Sequence, residues 1–250
     1  MLTGTMNATD LHKVYECDKE RLFRFLHHKE AELRRQLKKG FSKKCAKCYD
    51  YHTSNADYKL SICVYSRRSI IDVYMYVKET NEYIVVTARA NNDDDACLVF
   101  TPHYIRRMGE RIYGDREMEV NKILTYFILH SNTSINIYHD DRNFVFAMQG
   151  GISLALLDKK RNVMVMKTFV STEMLKSTQI EAWERVANII EHFDTLTEDE
   201  TGRNGFTSAD VLYELSNEVS KLDLDEINKI YGEYFIKRKE NDSKIFKKQA

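Results

Sequence analysis

The chain has 250 residues, 43% hydrophobic and 11% aromatic, which supplies apolar side chain for a folded core and argues against a disordered polymer. Its 38 basic residues balance its 38 acidic ones, so bulk charge does not announce a nucleic-acid binder and any electrostatic footprint is local. No apolar run reaches the about 18 residues of a membrane span, no basic start with an apolar stretch opens the chain, and the five cysteines are an odd number. A soluble protein of a reducing cytoplasm, without membrane contact, is expected.

Residues 10–39 read as a helix, because Leu11, Val14, Tyr15, Leu22, Phe25, Leu26, Leu33 and Leu37 recur at three- and four-residue spacing, and Gly40 is a C-terminal stop. Residues 34–47 are then basic with no acid among them. Arg34, Arg35, Lys38, Lys39, Lys43 and Lys44 are candidates to contact phosphates, with Tyr49 and Tyr51 available to stack bases. A solvated helix end accounts for the same stretch equally well. Cys45 and Cys48 make half of a zinc site to which His52 adds a third ligand, and Cys63, Cys17 or His12 a fourth. The other reading is two ordinary thiols in a basic loop, so no cofactor is expected, with zinc as the alternative. Residues 49–57 look like loop.

From 58 to 100 the pattern is short, β-branched and aromatic. "YKLSICVY", "SIIDVYMYV", "EYIVVTARA" and "ACLVF" predict four strands of an antiparallel meander. Two helices follow at about 102–113 and 115–130, broken by Gly114. "SINIYH", "NFVFAMQ", "ISLALLD" and "NVMVMKTFV" predict four more strands. Thr178 with Glu181 suggests a capping box opening a helix to about 193, residues 194–205 read as loop, and Thr207 with Asp210 caps a further helical region. The expected fold is α+β: two groups of antiparallel strands, a central helix pair and helices at both termini. The expected divisions are a helical region at 1–57, a mixed core at 58–171 and a helical region at 172–250.

The single proline stands in "FTPHYIRRMGERI", residues 100–112. Proline suits the first helical position, where its missing N–H costs nothing, and Thr101 before it is a good N-cap. At about 100° per residue, Ile105, Met108 and Ile112 share a core-facing stripe, while His103, Arg107 and Glu110 share the opposite one, flanked by Arg106 and Arg111. The first turn favours an anion. The dipole and the arginines favour a neutral His103 able to act as a base; Glu110 opposes that shift, and the balance is open. A solvated face of i,i+3 and i,i+4 ion pairs is the plainer explanation of the cluster.

The order strand–helix–helix–four strands over about 96–170 resembles the RelE-type and barnase/EndoU/colicin-like ribonuclease superfamily. Phe100, Thr101, His103, Arg107, Met108 and Arg111 also match the opening "F-[ST]-x-H-x-x-x-R-[ML]-x-x-R" of related bacterial and phage families. Residues 150–171 resemble the final strand pair, in which Thr168 or Ser171 would supply a hydroxyl and Lys167 a cation. The resemblance implies metal-independent RNA cleavage, with His103, Arg107, Glu110 and Thr168 catalytic and Arg106, Arg111 and Lys167 on the phosphate. In a regular strand Lys167 and Thr168 point to opposite faces, so only one of them serves: Thr168 shares a face with Met164 and Met166, and Lys167 sits between Val165 and Phe169. The alternative is a non-catalytic phage or bacterial interaction or structural protein, in which the charge cluster is a contact face for a partner, protein or RNA, or an ion-pair network.

Overall fold

A computed structural model describes residues 2–39, 44–65, 69–86, 97–130, 135–198 and 217–232. The long helix α1 (Ala8–Lys39) leads into β1 (Lys44–His52), β2 (Asp57–Tyr65), β3 (Ser69–Val77), β4 (Glu82–Val85) and β5 (Cys97–Phe100). Helices α2 (Pro102–Tyr113) and α3 (Val120–His130) follow, then β6 (Ile135–His139), β7 (Asn143–Met148), β8 (Gly151–Asp158), β9 (Val163–Ser171) and α4 (Ser177–Glu198). Residues 224–232 form a last described helix, α5. The protein is of the α+β class.

Among the described residues the strands form one sheet in the order β1-β2-β3-β4-β5-β9-β8-β7-β6. Each neighbouring pair is antiparallel except β5 and β9, which run parallel with Cys97 opposite Val163 and Phe100 opposite Met166. The two expected strand groups are therefore halves of one sheet, joined by a four-residue ladder.

Both faces of the sheet are covered. On one, Leu11, Tyr15, Leu22, Leu26 and Leu33 of α1 bury against Leu60, Ile62, Val64, Val73 and Met75. Further along the same face, Val186 and Ile190 of α4, with Ile227 and Tyr231 of α5, pack on Val145, Ile152 and Leu154. On the other face α2 and α3 close over Phe100, whose fully buried ring meets Tyr74, Tyr104 and Phe127 edge-on at centroid distances of 5.7, 5.2 and 4.9 Å. Burying a ring of that size makes Phe100 the anchor of the helix pair.

Three boundaries differ from the expectation. Residues 49–57 are not loop: Lys44–His52 pairs along its whole length with β2, leaving a turn at 53–56. That turn is held by the fully buried Asp18 carboxylate, which accepts from Thr53 Oγ1 at 2.7 Å, Asn55 Nδ2 at 2.8 Å and Tyr58 OH at 2.8 Å. Helix α3 starts at Val120 rather than 115, because the Asp115 carboxylate takes the Glu117 N–H at 2.9 Å and stabilises a turn there. The cap of α4 is not the Thr178–Glu181 pair; Gln179 Oε1 accepts the Lys176 N–H at 3.0 Å, and the helix runs on to Glu198. Thr207 and Asp210 lie outside the described residues. No described helix is long and apolar enough to cross a membrane.

Candidate functional site

Strand β5 ends at Phe100, but its neighbour β9 continues through Lys167–Ser171. Helix α2 runs alongside that extension. Thr101 has extended backbone at the N-cap; its hydroxyl accepts the Tyr104 N–H at 3.2 Å and donates to the Met166 carbonyl at 3.1 Å. Pro102 occupies the first turn as expected, and Gly114, at φ 71°, closes the helix in the left-handed region. Tyr104, Ile105 and Met108 are buried and Ile112 is half-buried against the same core.

With that stripe fixed inward, His103, Arg107 and Arg111 line a pocket of about 300 Å³. Its other walls include Ile152, Thr168 and Val170 from the sheet and Gln179 from α4. Arg111 Nη1 donates to Thr168 Oγ1 at 3.4 Å, so helix and strand touch through these two side chains. His103 is exposed, whereas Arg107, Arg111 and Thr168 are half-buried.

Thr168 reaches the pocket through a β-bulge. Leu154 pairs with Thr168 and Ala155 with Met166, leaving Lys167 as the extra residue. The expected alternation is thereby overturned. Met164, Met166 and Phe169 belong to the α2–α3 core, while Thr168 shares the opposite face with Val170. Lys167 is exposed and lines a neighbouring groove instead. The bulge gives each of the two residues a cavity of its own.

Glu110 does not line the pocket. Its carboxylate takes Arg107 Nη1 at 2.7 Å and Arg116 Nε at 2.8 Å. The Arg116 guanidinium, followed by that of Arg107, holds the carboxyl below the usual carboxylate range despite some desolvation. Glu110 is thus an ionised acceptor that fixes Arg107. Arg106 is exposed and outside the pocket lining.

The chain matches no family model, no curated protein and no solved structure.

The basic stretch at 34–47 stands apart from the pocket. β1 and β9 are five strand spacings apart in the sheet, about 24 Å. Arg34 Nε pairs with Glu30 Oε1 at 2.9 Å and its Nη1 donates to the Tyr65 carbonyl at 3.0 Å. Arg35 Nε donates to the Ala31 carbonyl at 3.2 Å, and Lys44 Nζ to that of Leu129 at 3.3 Å. Lys38 and Lys39 end α1, and Lys43 lies outside the described residues. Tyr49 and Tyr51 pack on Phe25 at 6.0 and 4.7 Å between ring centroids. Cys45 and Cys48 fall on opposite faces of β1, Cys45 toward the α1 core and Cys48 buried in the α2–α3 core. His52, at the far end of that strand, bonds Asp57 at 2.7 Å. The three therefore do not converge, and no group of three or more His, Cys, Asp or Glu among the described residues is disposed to hold a metal.

Sequence reasoning missed Arg116 and Gln179. Neither follows a spacing that points to α2: Arg116 sits beyond the helix stop, and Gln179 arrives from a separate helix.

Proposed function

We propose that this pocket is a metal-independent RNA-cleaving site of the toxin-type ribonuclease kind. The observation that carries the reading is the convergence of His103, Arg107 and Arg111 from one helix face with Thr168 from β9 on a pocket of about 300 Å³. The observed order β5–α2–α3–β6–β7–β8–β9 and the opening Phe100–Thr101–x–His103 support the resemblance to the RelE-type and barnase/EndoU/colicin-like group.

His103 accepts the proton of a ribose 2′-hydroxyl, whose oxygen attacks the adjacent phosphorus. The bond to the 5′-oxygen breaks, the imidazolium returns the proton to that oxygen directly or through water, and a 2′,3′-cyclic phosphate and a 5′-hydroxyl result. Arg107 and Arg111 carry the charge that builds on the non-bridging oxygens, and the Thr168 hydroxyl donates to one of them. A second reading, phosphate binding without cleavage, is favoured by one feature: Glu110 is committed to Arg107 and Arg116 and offers no second acid.

Incubation of the purified protein with end-labelled single-stranded RNA in a chelator decides between them. Cleavage that leaves cyclic phosphate ends, abolished in His103→Ala with an unchanged circular dichroism spectrum, is the expected result. An inert wild type overturns the nuclease reading, and an active His103→Ala removes His103 from it.

A further inference from the structure

A second groove, of about 560 Å³, lies on the α1–α4 face of the sheet. Leu156 and Val165 form part of its floor, and Arg142, Lys159, Lys160 and Lys167 line it. All four cations are exposed, and none makes an ion pair with another described residue. Asp141 and Asp158 also line the groove, but Asp158 Oδ1 is engaged by the Lys160 and Arg161 N–H groups at 3.1 and 3.3 Å.

The groove and the His103 pocket lie end to end on β9: Val165 and Lys167 line the first, Thr168 and Val170 the second. From Val165 to Val170 the strand covers about 17 Å. The rim is fixed at both turns that carry it. Arg161 accepts the Ala8 N–H on its carbonyl at 2.8 Å and donates from Nε to the Met6 carbonyl at 3.1 Å, which ties the β8–β9 turn to the start of α1. Asp140 holds the β6–β7 turn through the Arg142 and Asn143 N–H groups at 2.8 and 2.7 Å.

We infer that this groove is a track for single-stranded nucleic acid, which passes the phosphodiester chain from Lys159, Lys160, Arg142 and Lys167 into the His103 pocket. The inference rests on the nuclease reading for what the pocket does, and supplies its substrate class. Unpaired cations along the rim suit phosphates, and an apolar floor between them suits ribose and base faces. An acidic peptide would leave that floor unused. A cavity of this volume takes a drug-sized ligand, hence a nucleotide or two at a time and not a duplex.

The test is fluorescence anisotropy with a labelled 2′-deoxy oligonucleotide, which has no 2′-hydroxyl and reports binding apart from cleavage. Lys159→Glu/Lys160→Glu is expected to weaken binding about tenfold or more and to lower the salt slope by about 0.7 for each phosphate that is no longer neutralised. Arg142→Glu/Lys167→Glu, on other parts of the rim, does the same, whereas Lys78→Glu/Lys122→Glu, with the same charge change elsewhere, binds like wild type. Absence of binding by the wild type, or binding as tight as wild type by both rim variants, overturns the track. So does capture of a poly-glutamate peptide in place of the oligonucleotide, which would assign the groove to an acidic protein segment. If the oligonucleotide binds and the rim variants weaken it while RNA stays intact, the track stands and only the nuclease reading falls.

Discussion

The Thr101 hydroxyl donates to the Met166 carbonyl at 3.1 Å while accepting the Tyr104 N–H at 3.2 Å. One side chain thus starts α2 and seats it on β9. Thr101→Ala removes both bonds and is expected to cost about 1–2 kcal/mol in urea unfolding. Thr101→Ser keeps the oxygen and recovers most of that. Equal stability of all three proteins would mean that water replaces the hydroxyl at both partners.

Glu110 separates positioning from chemistry. Its bonds to Arg107 and Arg116 make it a brace for Arg107. Under the proposed nuclease reading, Glu110→Gln lowers kcat on RNA by about tenfold or less, with KM little changed. Removing a general acid or base would lower it by about 10²–10⁴, and a fall of that size would return Glu110 to the reacting groups.

Gly109 is a helix residue at which alanine is harmful. Alanine is ordinarily better than glycine in a helix by about 1 kcal/mol. Here a Cβ would stand 2.6 Å from the Asp115 carbonyl oxygen and 3.2 Å from Met118 Cβ. A backbone oxygen cannot swing aside, so the sign reverses. Gly109→Ala should lower the unfolding midpoint, and a raised midpoint would show that the 115–118 turn yields freely.

Asp140 gives the β6–β7 turn an acid limit. Desolvation works against its ionisation, but the Asn143 and Arg142 N–H groups, the Asn143 amide and the Tyr138 hydroxyl outweigh it and hold the carboxyl at about 2, below its ordinary 3.8. A depressed folded value stabilises above the unfolded one, and the contribution disappears as pH falls through about 2. Wild type should therefore exceed Asp140→Asn in stability at pH 5 and lose that advantage near pH 2. A difference that is independent of pH would locate the effect in shape rather than charge.

The thiols differ in reach. Burial pushes Cys48 and Cys97 up to about 11, whereas Cys17 is exposed. Because the thiolate is the nucleophile, iodoacetamide at pH 8 should label Cys17 on the folded protein and reach Cys48 and Cys97 only after denaturation. Mass spectrometry of peptides from the native reaction checks the order.

The start of α2 was legible because every local signal agreed: strand end, cap, proline and apolar stripe point to one boundary. β1 was hidden because Lys44, Lys47 and Asp50 interrupt its alternation, and only nine-residue pairing with β2 makes it a strand. The single sheet was hidden for a different reason. Cys97–Phe100 meets Val163–Met166 across a long stretch of chain, and no short-range pattern records such a partner. The pocket was half legible. The helix supplied His103, Arg107 and Arg111 from spacing, but the bulge at Lys167 sets which strand side chains join them, and a bulge depends on the partner strand.

The parallel ladder between β5 and β9 also bears on the order of assembly. Of the second group of strands, β9 is the last in the sequence and the one that meets the first group. Pairing over so long a separation closes a large loop and is slow relative to the hairpins on either side. Helix α2 can form with its histidine and arginines already sorted to one side, yet it has no strand to lie along until Val163–Ser171 arrives. A polypeptide still growing is therefore without the pocket at every length short of β9.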